Sequence, residues 1–187
     1  MALLLPSFPC GEKLHWGEAQ QHSLPSGVFG HWLISTDSLT QRLKSLNKPF
    51  RVELLGERRI PFPRLEMMGF AEQDYWLREV VLYIDDQPWV FARTLIPEAI
   101  FNITQLGFGE LGQKPLGELL YGSQSFEHGQ LQFCQVPQHS EIQKISGCTR
   151  LLWGRRRPFS CEYGTLHVAE IFLPAAMDFL QQDKLSA

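Results

Sequence analysis

Two charged side chains stand out among largely apolar strand patterns. Arg78 lies in Tyr75-Trp76-Leu77-Arg78-Glu79-Val80-Val81-Leu82-Tyr83, and Glu170 in Val168-Ala169-Glu170-Ile171-Phe172-Leu173-Pro174. A charge is rarely buried unless it is paired. A strand that keeps one among aromatic and branched neighbours either salt-bridges it internally or aims it at a ligand. Arg78 shares its strand face with Trp76, Val80 and Leu82. It reads either as a buried partner of a carboxylate such as Glu170, or as a bidentate clamp on a substrate carboxylate, which guanidinium geometry suits. Glu170 shares its face with Leu166, Val168 and Phe172. It reads either as an arginine's partner or as a group that meets a ligand hydroxyl or moves a proton. Arg93, on the strand after Arg78, is the third charge of this kind.

The elements that must position these groups are best defined around Arg78. Residues 75–84 and 88–96 are rich in aromatic and β-branched residues and flank Asp85-Asp86-Gln87-Pro88, a hairpin signal. With Asp85-Asp86 as the two loop residues, Ile84 pairs with Gln87 and Arg78 falls opposite Arg93. A slip of one residue puts the two arginines on opposite faces. Like charges directly opposite are unfavourable unless an anion lies beside them, so only the unslipped register argues for an anion site there.

Elsewhere, Thr36-Asp37-Ser38 precedes Leu39, Leu43 and Leu46, the spacing of a short amphipathic helix that Pro49 ends. Phe50–Leu54 alternates as a strand, and residues 57–74, with Pro61, Pro63 and Gly69, read as loop. Pro115 marks a helix start. Residues 122–149 are polar and weakly patterned, with one strand expected near Gln130–Gln135. Residues 159–173 read as one or two strands, and Ala175–Leu185 as a short helix. Arg155-Arg156-Arg157 reads as a solvated turn, and His167 as a packed or surface histidine. Gly107-Phe108-Gly109 with Gly112 matches no phosphate-binding loop. Strand and helix do not alternate, so the expected fold is α+β: a single antiparallel β-sheet with short helices on one side.

The chain has 187 residues, 44% of them apolar and 20% charged, with net charge −3. That length and balance fit one globular domain over residues 1–187, with residues 1–30 an irregular lead-in. The charge argues against nucleic-acid binding. No apolar run is long enough to span a membrane, and Met1–Pro6 lacks the basic start of a signal peptide. Cys10, Cys134, Cys148 and Cys161 form no C-x-x-C pair, and the six histidines show no metal-ligand spacing. A cytoplasmic protein without metal or cofactor, working as a monomer, is expected.

An ordered set of motifs then narrows the reading: Tyr75-Trp76-Leu77-Arg78-Glu79, Pro88-Trp89 through Arg93-Thr94, Lys114-Pro115-Leu116-Gly117, Leu152-Trp153-Gly154-Arg155-Arg156 and Glu170-Ile171-Phe172-Leu173-Pro174-Ala175. Together they resemble the chorismate pyruvate-lyase family, from about Trp32 to Ala175. The resemblance implies removal of pyruvate from chorismate to leave 4-hydroxybenzoate for ubiquinone synthesis, within a fold whose helical flaps cover an internal site. It also implies site roles. Arg78 holds the ring carboxylate, backbone N–H groups at Leu39 and Leu116 complete that cradle, Glu170 meets the ring hydroxyl, and Arg93 lines a second, deeper anion site. Family members often carry Met at position 39, which a backbone contact tolerates. The same fold also serves as a ligand-sensing domain in transcription regulators, so a sensor without catalysis is the competing expectation. Residues 1–35 are short and poor in basic residues for the winged helix of such regulators. A homologue that binds without reacting is a further alternative, against which the retention of Arg78 and Glu170 argues.

Overall fold

The computed structural model describes residues 14–61, 73–103, 106–138, 142, 147 and 149–182. Cys10, Cys148, most of the expected loop 57–74 and part of the 122–149 stretch lie outside them. Seven strands form one antiparallel sheet: β1 (Phe50–Ile60), β2 (Tyr75–Ile84), β3 (Gln87–Pro97), β4 (Glu127–His128), β5 (Gln132–Val136), β6 (Leu152–Cys161) and β7 (Gly164–Phe172). Their order is β1-β2-β3-β7-β6-β4, with β5 also paired to β6. Among the described residues five α-helices are α1 (Gly27–Ile34), α2 (Leu39–Lys44), α3 (Glu98–Phe101), α4 (Leu116–Gly122) and α5 (Pro174–Gln182). No helix among the described residues is long and apolar enough to cross a membrane.

The helices gather on the sheet face that carries Arg78 and Glu170. Phe29 of α1 meets Phe172 edge-on, with ring centroids 5.5 Å apart, and Phe101 of α3 stacks on Trp76 at 4.2 Å. Packing of α5 against α1 and β3 extends this layer. On the reverse face Leu77, Val81, Phe91, Leu95, Ala169 and Ile171 are all buried. Each large apolar side chain so buried contributes about 1.5–3 kcal/mol.

The β2–β3 hairpin turns at Asp85 and Asp86, both with positive φ (48° and 58°), as a two-residue turn of the I′ kind demands. Ile84 pairs with Gln87 as expected, but the next steps do not follow. Tyr83 pairs with Pro88, Leu82 with Val90, and Trp89 is left as an extra residue. This bulge shifts the register by one. Arg78 therefore stands opposite Thr94, and Glu79 opposite Arg93. Of the two registers, the slipped one is found: the two arginines point to opposite faces. Arg93 is fully buried on the reverse face, where it is ion-paired with Glu79.

Two further expectations change. β1 runs on to Ile60 across a second irregularity between Leu54 and Gly56, so residues 57–60 are strand rather than loop. Arg155-Arg156-Arg157 is the middle of β6, not a turn. Pro158 is accommodated in that strand because it falls between the stretches paired to β5 (Leu152–Arg156) and to β4 (Phe159–Ser160). No ladder bond on that side requires its missing N–H.

Candidate functional site

Antiparallel pairing aligns the site in two rows across four strands. One row is Arg78, Thr94, Val168, Arg157, and the neighbouring row is Val80, Ala92, Glu170, Arg155. All eight residues line one pocket between the sheet and the flap made by α2 and α4. Its floor thus sets apolar Val80, Ala92 and Val168 between Arg78 on one side and Glu170, Arg155 and Arg157 on the other.

Arg78 is 2% exposed. Its Nη2 donates to Gly112 O at 2.7 Å and Lys114 O at 3.2 Å, and its Nη1 donates to Glu57 Oε1 at 3.3 Å. Burial pulls its pKa below the ordinary arginine value, and Glu57 opposes that shift. The two carbonyl bonds tie the guanidinium to the lead-in of α4, so Arg78 positions the flap that it sits beneath.

The flap brings two helix starts to the pocket. Ser38 caps α2, its Oγ accepting from Gln41 N at 3.4 Å, which bears out the expected N-cap. Leu39 is the first residue of α2 and Leu116 the first of α4. N–H groups at first helical positions have no intrahelical acceptor and carry the positive end of the backbone dipoles. Both residues line the pocket. Gly117 permits the close approach of the two helices: a Cβ there would lie 2.9 Å from Thr40 Oγ1 and 3.1 Å from Ser38 Oγ. Outside, Lys44 and Glu118 form an ion pair that joins the helices.

Glu170 faces the pocket from the other side, its side chain 20% exposed. Its partner is not Arg78 but Arg155, whose Nε donates to Glu170 Oε2 at 2.6 Å. Arg155 Nη1 also donates to the carbonyls of Trp32, Leu33 and Ser35 at 3.1, 3.2 and 2.8 Å. It therefore caps the C-terminal end of α1, where cations are favoured, while fixing the carboxylate. The sequence reading missed Arg155 and Arg157 because a run of three arginines suggested solvent. The available signal was the period-two pattern Trp153, Arg155, Arg157, Phe159, one face of a strand. Arg156, on the alternate face, stacks over Trp16 at 4.5 Å and donates to Gln132 Oε1 at 2.8 Å. Tyr121 of α4 was missed too. It lines the pocket, and burial, with the Glu170 carboxylate adding to it, raises its pKa.

The structure brings together Leu39, Arg78, Leu116 and Glu170. It does not bring Arg93, which lies on the reverse face away from this pocket, so the expected second anion site finds no support from it. His167 also lies off the pocket, packed beside Leu95 on β3 and Arg156. Among the described residues no group of three or more His, Cys, Asp or Glu side chains is placed to hold a metal ion.

Comparison with known proteins adds to this geometry. The family model described as chorismate lyase matches residues 11–183. A protein from Shewanella sp. strain MR-4 named "Probable chorismate pyruvate-lyase" is 38% identical, over 99% of this chain and all of its own length. One of the same name from Shewanella loihica is 40% identical, over 97% of this chain and 99% of its own. Among solved structures, the effector domain of PhnF from Mycobacterium smegmatis is similar in fold, with TM-score 0.56 and 11% identity over 81% of this chain and 93% of that one. The C-terminal domain of the histidine utilization repressor from Pseudomonas syringae pv. tomato gives TM-score 0.53 and 10% identity, over 68% of this chain and 94% of that one. Those two likenesses show the fold alone. The match along nearly the whole sequence shows more: this chain belongs to the chorismate lyase family.

Proposed function

We propose that this protein is a chorismate pyruvate-lyase, a carbon–oxygen lyase that converts chorismate to 4-hydroxybenzoate and pyruvate. Beyond family membership, one observation carries the reading: a single pocket joins a desolvated arginine, two helix starts and a carboxylate across an apolar floor. A carboxylate on the ring would accept from Arg78 and from the N–H groups of Leu39 and Leu116. Glu170, in the next row and two strands away, would meet the ring hydroxyl. Val80, Ala92 and Val168 would pack the ring between them.

The reaction removes one ring hydrogen and the enolpyruvyl ether oxygen with its three-carbon group. The ring becomes aromatic, and the released enolate takes up the proton to become pyruvate. Formation of an aromatic ring supplies the driving force, so the protein's task is orientation, exclusion of water and stabilisation of the departing charge. The flap of α2 and α4 serves the second of these. The product would feed ubiquinone synthesis, and the enzyme would work as a cytoplasmic monomer on this small molecule, without nucleic acid or cofactor.

Likeness in fold to effector domains favours one competing reading, a sensor that binds the ligand without reacting it. Incubating the protein with chorismate while following 4-hydroxybenzoate by absorbance and pyruvate by coupled reduction separates the two. Equimolar appearance of both products is expected. Binding of chorismate without turnover would replace the lyase reading with the sensor.

A further inference from the structure

Of the four arginines lining the pocket, Arg78, Arg155 and Arg157 share one sheet face, and they are not equivalent. Arg78 lies beside Glu57 and Arg155 is bonded to Glu170. Arg157 has only neutral partners: its Nε donates to Gly129 O at 2.6 Å, and its Nη1 donates to Thr36 O at 2.9 Å and to Tyr121 Oη at 3.2 Å. Among the described residues its Nη2 has no hydrogen-bond partner. A guanidinium held in place by carbonyls, with no carboxylate and one edge left over, is set up to receive an anion.

The surroundings agree. Because Tyr121 Oη accepts from Arg157, its own hydroxyl proton is free to point elsewhere, and its raised pKa keeps that proton on. Arg157 also borders a second, more open cleft, shared with Leu131 and lined by Glu18, Ala19, His128 and Gly129. It thus stands between the covered pocket and an outlet to solvent. Arg78 and Arg157 end the same row, three strand spacings apart, or about 14 Å between Cα atoms. Arg78, held towards Glu57 on β1, and Arg157, held towards Gly129 beside β4, thus mark opposite margins of one pocket floor, with Thr94 and Val168 between them.

We infer that Arg157, assisted by the Tyr121 hydroxyl, forms the subsite for the second carboxylate of the substrate, the one on the enolpyruvyl group, and holds the departing three-carbon acid at the mouth of the open cleft. This rests on the lyase reading, in which the substrate is a dianion and the aromatic product has lost that second carboxylate. The subsite therefore binds substrate and not aromatic product.

The test compares Arg157→Gln, Arg157→Lys and Tyr121→Phe with wild type in two measurements: kcat/KM for chorismate, and Kd for 4-hydroxybenzoate by calorimetry. Arg157→Gln is expected to lower kcat/KM by about 30-fold or more while leaving the 4-hydroxybenzoate Kd within about twofold. Arg157→Lys, which keeps the charge, should recover much of the loss. Tyr121→Phe should cost about fivefold in kcat/KM, again without moving the product Kd. Should Arg157→Gln not fold, the Tyr121→Phe comparison decides alone. Equal losses for substrate and product would make Arg157 a brace for Thr36 and Gly129 and overturn the inference, as would unchanged kcat/KM in a folded Arg157→Gln protein. A wild type that does not turn over chorismate would instead remove the lyase reading, and this inference with it.

Discussion

Arg155 and Glu170 stand directly opposite one another on β6 and β7, and the guanidinium that fixes the carboxylate also gathers three carbonyls at the end of α1. The pair connects the candidate site to the helical layer, so its two halves should not be energetically equivalent. Arg155→Met strands a mostly buried carboxylate and uncaps α1. We expect a loss of about 2–3 kcal/mol, below the full cost of a broken buried pair because Glu170 retains some contact with water. Arg155→Met combined with Glu170→Leu should lose less than the sum of the single changes. Urea unfolding of the three variants checks this, and strict additivity would show that the two side chains do not interact.

Glu170 is also the group proposed to meet the ring hydroxyl. Glu170→Ala should weaken 4-hydroxybenzoate more than benzoate, which lacks that hydroxyl, with the difference about 1.5–3 kcal/mol in wild type and smaller in the variant. Arg155 keeps its three carbonyl acceptors in this variant, so the fold should survive well enough for calorimetric titration. Parallel weakening of both ligands would make Glu170 a structural partner of Arg155 and nothing more.

Arg78→Ala should lower kcat/KM for chorismate by roughly 30-fold to several thousand-fold, the usual cost of removing one partner of a desolvated carboxylate contact. Part of the effect would come through the flap, since Gly112 and Lys114 lose their donor. Arg78→Lys should remain well below wild type, because one ammonium cannot reproduce the fork that serves the flap carbonyls and a ligand together. Steady-state kinetics on folded protein are the measurement, and activity within a few-fold of wild type would remove Arg78 from the site.

His167 sets an acid limit on stability. Burial, with the nearby Arg156 charge adding to it, lowers its pKa from 6.5 to about 4. Above pH 6.5 both folded and unfolded chains carry it neutral, and its contribution is fully present. As pH falls from 6.5 towards 4 the unfolded chain takes up the proton first, so stability declines by up to about 3 kcal/mol. Urea unfolding at a series of pH values should show this slope, and His167→Phe should flatten it. An unchanged slope in that variant would assign the acid sensitivity to other groups.

Much of this architecture was legible from short-range patterns. Ser38 ahead of Leu39 announced α2, Asp85-Asp86 announced the hairpin, and period-two alternation marked Arg78 and Glu170 as inward residues. What escaped were features decided by distant partners. The bulge at Trp89 is a single residue that short-range alternation does not mark, yet it sets which charges meet across the hairpin. Glu57 looked like loop, although β1 continues past it to pair with Arg78. Arg155 looked solvated because three adjacent arginines outweighed the alternation around them, and its burial is explained by Glu170 together with the end of α1, more than a hundred residues earlier in the chain. Tyr121 matters through Arg157, which local spacing does not bring near it.

The bulge at Trp89 also bears on how the hairpin finds its register. A hairpin zipping inward from Asp85-Asp86 without the extra residue would bring Arg78 face to face with Arg93. Like charges placed directly opposite disfavour that alignment. Slipping by one residue matches Glu79 with Arg93 and leaves Arg78 free for the pocket. The ion pair on the reverse face thus favours the register that keeps Arg93 out of the pocket and leaves Arg78 there with no like charge opposite it.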